Sequence, residues 1–197
     1  MYVQVIKGKT SDPTALMEYG RSWQTEVRPG SVGYLGSTAG VAADGTFVVI
    51  AQFTDEVAAK ENSNRPEQDA WFQGFAKLID GEPTFAESTD TSVLFDGPST
   101  KAGFVQVMES RVTDRAKAEA FESEELLTEL RKARPDLLGG LRLWLPNDRV
   151  IEAAYFTSEA AARKGEQSED FGDQGAQFGE LYEDMTYTDL VNPEVNA

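Results

Sequence analysis

Gln4 and Gln106 each set an amide inside an apolar run, in Tyr2-Val3-Gln4-Val5-Ile6 and Phe104-Val105-Gln106-Val107-Met108. Side chains on a strand alternate between its faces, so Gln4 sides with Tyr2 and Ile6, and Gln106 with Phe104 and Met108. A partly buried amide has to find partners. Two readings stand: amides on a pocket floor bonding a ligand carbonyl or hydroxyl, or amides bonding backbone or each other across a closed core. Asn62-Ser63-Asn64-Arg65-Pro66, with Trp71 just beyond, brings an amide, a guanidinium and an indole N–H into one segment. These types orient ligand oxygens; a polar loop at a helix break is the alternative. Tyr34 and Tyr155 are phenols that can move a proton only where the site shifts their pKa.

What is missing narrows the chemistry further. The chain contains no His and no Cys. Ser-His-Asp triads, thiolate nucleophiles, His-ligated haem and iron–sulfur clusters are therefore outside its reach. Any metal would have to rest on carboxylates and carbonyls, as calcium or magnesium does. No loop has EF-hand spacing, and Glu166, Asp170 and Asp173 read as an acidic loop in an acidic protein. The formal net charge of −16 repels nucleic acid and anionic lipid.

The elements that must position these residues come in two matched sets. Val-Gln-Val recurs in the opening strands. A helix follows each: Asp12 caps the first, with Pro13 at its first position and Leu16, Tyr19, Trp23 and Val27 along one face. Asp114 caps the second, with Phe121, Leu126, Leu127 and Leu130 as its stripe. Both helices stop at Arg-Pro, at Arg28-Pro29 and Arg134-Pro135, because the residue before Pro disfavours the α conformation. Strands containing Leu35-Gly36 and Leu138-Gly139 come next. Then Phe47 to Phe53 parallels Val150 to Phe156, and Thr54 and Thr157 are expected to cap a second helix in each half. That second helix carries Phe75, Leu78 and Ile79 in one half and Phe178, Leu181 and Tyr182 in the other. A last strand runs from Thr84 to Phe95, and its counterpart from Thr186 to Val191.

Each half thus reads β-α-β-β-α-β, a ferredoxin-like unit of the α+β class. Residues 1–96 form the first repeat, 97–102 a polar linker and 103–195 the second repeat. Such a sheet carries both helices on one face and leaves an apolar face to cover. The second repeat supplies the cover, which predicts two antiparallel sheets packed face to face as an intramolecular dimeric α+β barrel.

That order of elements, with the helix-opening phrase FTDEVAAKENSNRPEQDAW, resembles the dimeric α+β barrel superfamily in tandem form, and within it the antibiotic-biosynthesis-monooxygenase-like proteins. The resemblance spans residues 1–195. It implies chemistry without metal, haem or other cofactor, in which a polyphenol-like substrate loses a proton and reacts with oxygen directly. It also implies an apolar pocket between sheet and helices with Asn, Trp, Arg or Tyr placed to orient substrate oxygens. Here Asn62, Arg65 and Trp71 fall in the corresponding segment, although the Asn-to-Trp spacing differs from the family's four-residue step.

The expectation is a cofactor-independent monooxygenase or isomerase acting on a small aromatic or polyketide-like molecule. A non-catalytic binder or a structural protein using the same barrel is the alternative. The substrate-binding set is Gln4, Asn62, Arg65, Trp71, Gln106 and Tyr155. The segment Asn62 to Trp71, where the halves diverge, is where a pocket in the first half is expected. No nucleic-acid partner is expected, because the chain is strongly acidic, and no membrane partner, because no apolar stretch is long enough to span a bilayer. A cytoplasmic location is expected. So is a monomer holding an internal pseudo-dimer, with further dimerisation open.

Overall fold

The computed structural model describes residues 1–121, 123–167 and 179–196, and of Phe121 only its backbone. In chain order the elements are β1 (Tyr2–Lys9), α1 (Pro13–Glu26), a 3-10 turn (Arg28–Gly30), β2 (Tyr34–Val41), β3 (Thr46–Phe53), α2 (Glu56–Ser63), α3 (Pro66–Ala76), β4 (Asp80–Ser88) and β5 (Thr91–Phe95). The second set is β6 (Phe104–Val112), α4 (Arg115–Phe121), α5 (Glu124–Ala133), β7 (Leu137–Leu145), β8 (Arg149–Phe156), α6 (Glu159–Glu166), β9 (Tyr182–Val191) and β10 (Glu194–Asn196). The repeat is real at the level of elements: each set opens strand–helix–strand–strand–helix and ends in strands.

Two five-stranded sheets result, ordered β10-β2-β3-β1-β4 and β5-β7-β8-β6-β9. The chain divides into two compact units, one of Met1–Thr91 with the C-terminal residues from Pro193, the other of Ser92–Asn192. The expected single strand from Thr84 to Phe95 is in fact two. Its first part, β4, pairs with β1, and its second part, β5, joins the edge of the second sheet beside β7. In the same way β10, absent from the sequence reading, follows β9 yet pairs with β2 of the first sheet.

In the first unit, β1 and β3 pair with Gln4 opposite Ala51 and Ile6 opposite Val49. The face bearing Ile6, Phe47 and Val49 packs against Leu16 and Tyr19 of α1 and Trp71, Phe72 and Phe75 of α3. On the other face Val3, Val48 and Ile50 are fully buried. The amphipathic stripe of α1 is as expected: Leu16 and Val27 are buried, and Tyr19 and Trp23 are half-buried. Asp12 caps α1 by accepting from the Ala15 N–H. Pro66 ends one helix and begins the next: α2 stops at Ser63, and Pro66 is the first residue of α3.

In the second unit, Gln106 lies opposite Ala154 and Met108 opposite Glu152. The long first helix is split: α4 ends at Phe121, and Ser123 starts α5 by accepting from the Leu126 N–H. The second-helix caps also move by one residue. Asp55 and Ser158, rather than Thr54 and Thr157, accept from the N–H groups of Ala58 and Ala161. All four residues are competent caps; the one three positions before the free N–H has the reach. Tyr182, expected in a helix, is the first residue of β9. Phe178, Asp170 and Asp173 lie outside the described residues. No helix among the described residues is long and apolar enough to cross a membrane.

Candidate functional site: an aromatic cleft in the first unit

Residues of β1, β2 and β3 and of α1, α2 and α3 enclose a cleft of about 130 Å³. Its floor is the helix-bearing side of the sheet, at Gln4, Ala39, Val49 and Ala51, and its walls are largely aromatic. Trp71 stacks on Phe75 at 5.1 Å between centroids, and Phe47 meets Phe75 edge-on at 5.8 Å. Across the cleft Trp23 packs on Tyr34 at 4.8 Å, and Tyr34 on Phe53 at 5.9 Å. Tilted and edge-on contacts of this kind hold rings in place beyond what area burial alone gives.

A polar chain braces one side. Trp23 Nε1 donates to Gln68 Oε1 at 2.7 Å, and Asn62 Nδ2 donates to the same oxygen at 3.2 Å. Arg65 Nη1 donates to Asn62 Oδ1 at 3.1 Å and to the Val27 carbonyl at 3.0 Å. Trp71 Nε1 donates to Ser22 Oγ at 2.9 Å, and Tyr34 donates to Ser37 Oγ at 2.7 Å. The expected residues therefore divide. Gln4, Asn62 and Trp71 line the cleft. Arg65 stands behind Asn62 and packs its guanidinium over Gly30, where an added Cβ would lie 2.1 Å from Nη2. Its contacts tie the start of α3 to the end of α1.

Gln106 and Tyr155 belong to the second unit and lie on opposite faces of its sheet, since adjacent β8 positions Ala154 and Tyr155 pair with Gln106 and Val105 respectively. Gln106 Nε2 donates to Asp189 Oδ1 at 3.0 Å, and Asp189 also pairs with Arg163. Tyr155 is fully buried. The positions that are Ala39 and Val49 in the first unit are Arg142 and Glu152 here. These two form an ion pair whose side chains are 11% and 15% exposed.

Glu87 was not legible as a site neighbour. Opposite Gln4 on β4, it accepts from Gln4 Nε2 at 3.4 Å and from the Tyr2 hydroxyl. Burial, then the Glu87 bond, push the Tyr2 phenol well above its usual range. A carboxylate can only accept, so the Gln4 NH₂ must face Glu87. The halves repeat the device, acid opposite amide, at Asp189 and Gln106. Glu194 and Asn196 of β10 also line the cleft. The only sequence signal for them is the Asn192-Pro193 turn before a short Glu-Val-Asn run. Among the described residues no cluster of acidic side chains could hold a metal ion.

No family model matches the sequence, and no curated protein matches it. Solved structures do. A candidate monooxygenase of Fusobacterium nucleatum superposes with a TM-score of 0.79 at 12% identity, over 99% of this chain and 93% of its own. A candidate monooxygenase of Lactobacillus acidophilus gives 0.73 at 14% identity, over 100% and 95%. An anthrone oxidase-like protein gives 0.67 at 12% identity, over 98% and 92%. The chain has their fold. It is a tandem ferredoxin-like α+β arrangement, matched over both halves. Within this fold the cleft sits on the helix-bearing side of the first sheet, between sheet and helices.

Proposed function

We propose that the first-unit cleft binds one aromatic ring of a small molecule and that the protein acts on it as a cofactor-independent monooxygenase. The cleft itself carries the reading: aromatic walls over a largely apolar floor, with polar groups at Gln4, Ser37, Asn62, Gln68, Glu194 and Asn196. Sites for small molecules have this makeup. The volume of about 130 Å³ suits a single ring, as an engineered apolar cavity of about 150 Å³ binds benzene. A multi-ring substrate would bury one ring and leave the rest at the mouth. Apolar walls also suit dioxygen.

In the reaction an acidic ring methylene or hydroxyl loses a proton, and the carbanion or phenolate gives its electrons to dioxygen. For a methylene, the peroxide then loses water, so that CH₂ and O₂ become C=O and H₂O with no outside reductant. The names of the structural neighbours, monooxygenase and anthrone oxidase-like, support that class.

A second reading, a binder without turnover, draws on a different observation. Both cleft indoles already donate to the protein, Trp23 to Gln68 and Trp71 to Ser22, which leaves few donors for charge developing on a substrate. Oxygen uptake with a panel of anthrones and quinols, run beside tryptophan-fluorescence titration, separates the two. Uptake that is stoichiometric with product and lost in the cleft-filling variant Ala39→Phe supports the oxygenase. Saturable binding without uptake gives the binder. Absence of binding to any ring overturns both.

A further inference from the structure

Glu194 is the single charged side chain among those lining the cleft. It reaches the cleft because β10 adds to β2 with Glu194 opposite Ala39 and Asn196 opposite Ser37. Arg21 of α1 holds one carboxylate oxygen, its Nε lying 2.5 Å from Glu194 Oε1. The other oxygen, Oε2, takes no hydrogen bond from the described residues. The Glu194 side chain is 26% exposed and that of Arg21 60%, so the arginine faces water while the carboxylate faces the cleft.

We propose that Glu194, delivered by the C-terminal strand, is the charge-selecting residue of the cleft. It admits ring ligands that present a hydrogen-bond donor, neutral or cationic, and turns away ring ligands that carry a carboxylate. The inference rests on the cleft being a ligand site, and its physical basis is direct. An ionised carboxylate is acceptor-only. A second anion in the same partly desolvated space finds no lining Lys or Arg to offset the repulsion. Arg21 spreads and weakens that negative charge without adding a cation to the cleft.

The test titrates full-length protein with benzyl alcohol, benzylamine and benzoate, which share a ring and differ in charge, and reads tryptophan fluorescence at neutral pH. Trp23 and Trp71 line the cleft and report directly. In the parent protein benzoate is expected to bind about tenfold or more weaker than benzyl alcohol at low salt, a gap that narrows in 1 M salt. Glu194→Gln keeps an acceptor for Arg21 and removes the charge, and it should bring benzoate to within about threefold of the alcohol. Arg21→Met should move the other way, weakening benzoate further and tightening benzylamine. Simple fraying of β10 would shift both variants in one direction, so a same-direction shift overturns the proposal. An unchanged ligand order in Glu194→Gln overturns it too, while leaving the cleft as a ring site intact. If the parent protein binds none of the three, the ring-binding reading falls and this one with it.

Discussion

Arg65 donates through one nitrogen to both Asn62 Oδ1, at 3.1 Å, and the Val27 carbonyl, at 3.0 Å. Asn62 is 6% exposed and Val27 1%; Asn62 Oδ1 depends on this guanidinium, while the Val27 carbonyl also accepts from the Gly30 N–H at 3.2 Å. The second unit solves the same problem in reverse. There Arg134, at the end of α5, donates to the Ala162 carbonyl of α6 at 3.2 Å and lies against Gly165. An arginine thus joins the end of the first helix to the second helix in each unit, from opposite ends.

Replacing Arg65 should accordingly act on stability before it acts on ligands. Arg65→Ala leaves the buried Asn62 Oδ1 without its donor and takes one of two donors from the Val27 carbonyl, and is expected to cost about 1–3 kcal/mol. Arg28→Ala, at an exposed residue, should cost no more than about 0.5 kcal/mol. Denaturant titration followed by tryptophan fluorescence checks the difference; equal midpoints for the two variants would contradict it.

The buried pair of the second unit gives a coupling prediction. Glu152→Val alone removes the carboxylate that neutralises the buried Arg142 and is expected to cost about 3 kcal/mol. Arg142→Ala with Glu152→Val restores the pairing found at Ala39 and Val49 in the first unit, and should recover most of the loss. A double-mutant cycle in denaturant measures this, and additive single losses would refute it.

The twin amides should behave differently. Gln106 is 7% exposed and bonds Asp189, which also pairs with Arg163. Gln106→Leu is expected to cost about 1–3 kcal/mol and to leave ring binding unchanged. Gln4 lines the cleft, so Gln4→Leu should change ring affinity with a smaller loss of stability. Paired melts and fluorescence titrations of the two variants decide it.

Stability should fall at both ends of the pH scale. Hydrogen bonds from Lys9 and from the Thr46 N–H hold Asp44 far below the usual carboxylate range. The capping bonds from the Ala58 and Lys117 N–H groups lower Asp55 and Asp114. A depressed carboxylate stabilises the fold above its unfolded pKa, and that contribution is lost as pH falls through the folded pKa. The acid arm therefore begins below about pH 4. Burial raises Tyr2, with Glu87 adding to the effect. A raised phenol stabilises below its unfolded pKa, so this contribution is lost from about pH 10 upward. Denaturation midpoints across pH should show both arms, and Tyr2→Phe should flatten the alkaline one. An alkaline arm unchanged in Tyr2→Phe would count against the assignment.

By itself the sequence determined the duplication and most of the elements. Val-Gln-Val, the two Arg-Pro stops, Asp12, Asp114 and Pro66 are local signals, because strand alternation, capping and the missing proline N–H act within a few residues. It also pointed to Gln4, Asn62 and Trp71, which the fold gathers in one cleft. What it could not carry was pairing at a distance. β5 and β10 are short strands that join sheets by backbone hydrogen bonds, and a three-residue run such as Glu-Val-Asn has no periodicity to read. Glu87 meets Gln4, and Glu194 meets Arg21, only because cross-strand register and edge pairing bring them together across 83 and 173 residues. The same nonlocal packing turned Arg65 from a ligand-facing residue into a brace behind Asn62. It also placed Tyr155 on the far side of the second sheet from Gln106. Local chemistry chose the elements, and the register between them decided which side chains share a cleft.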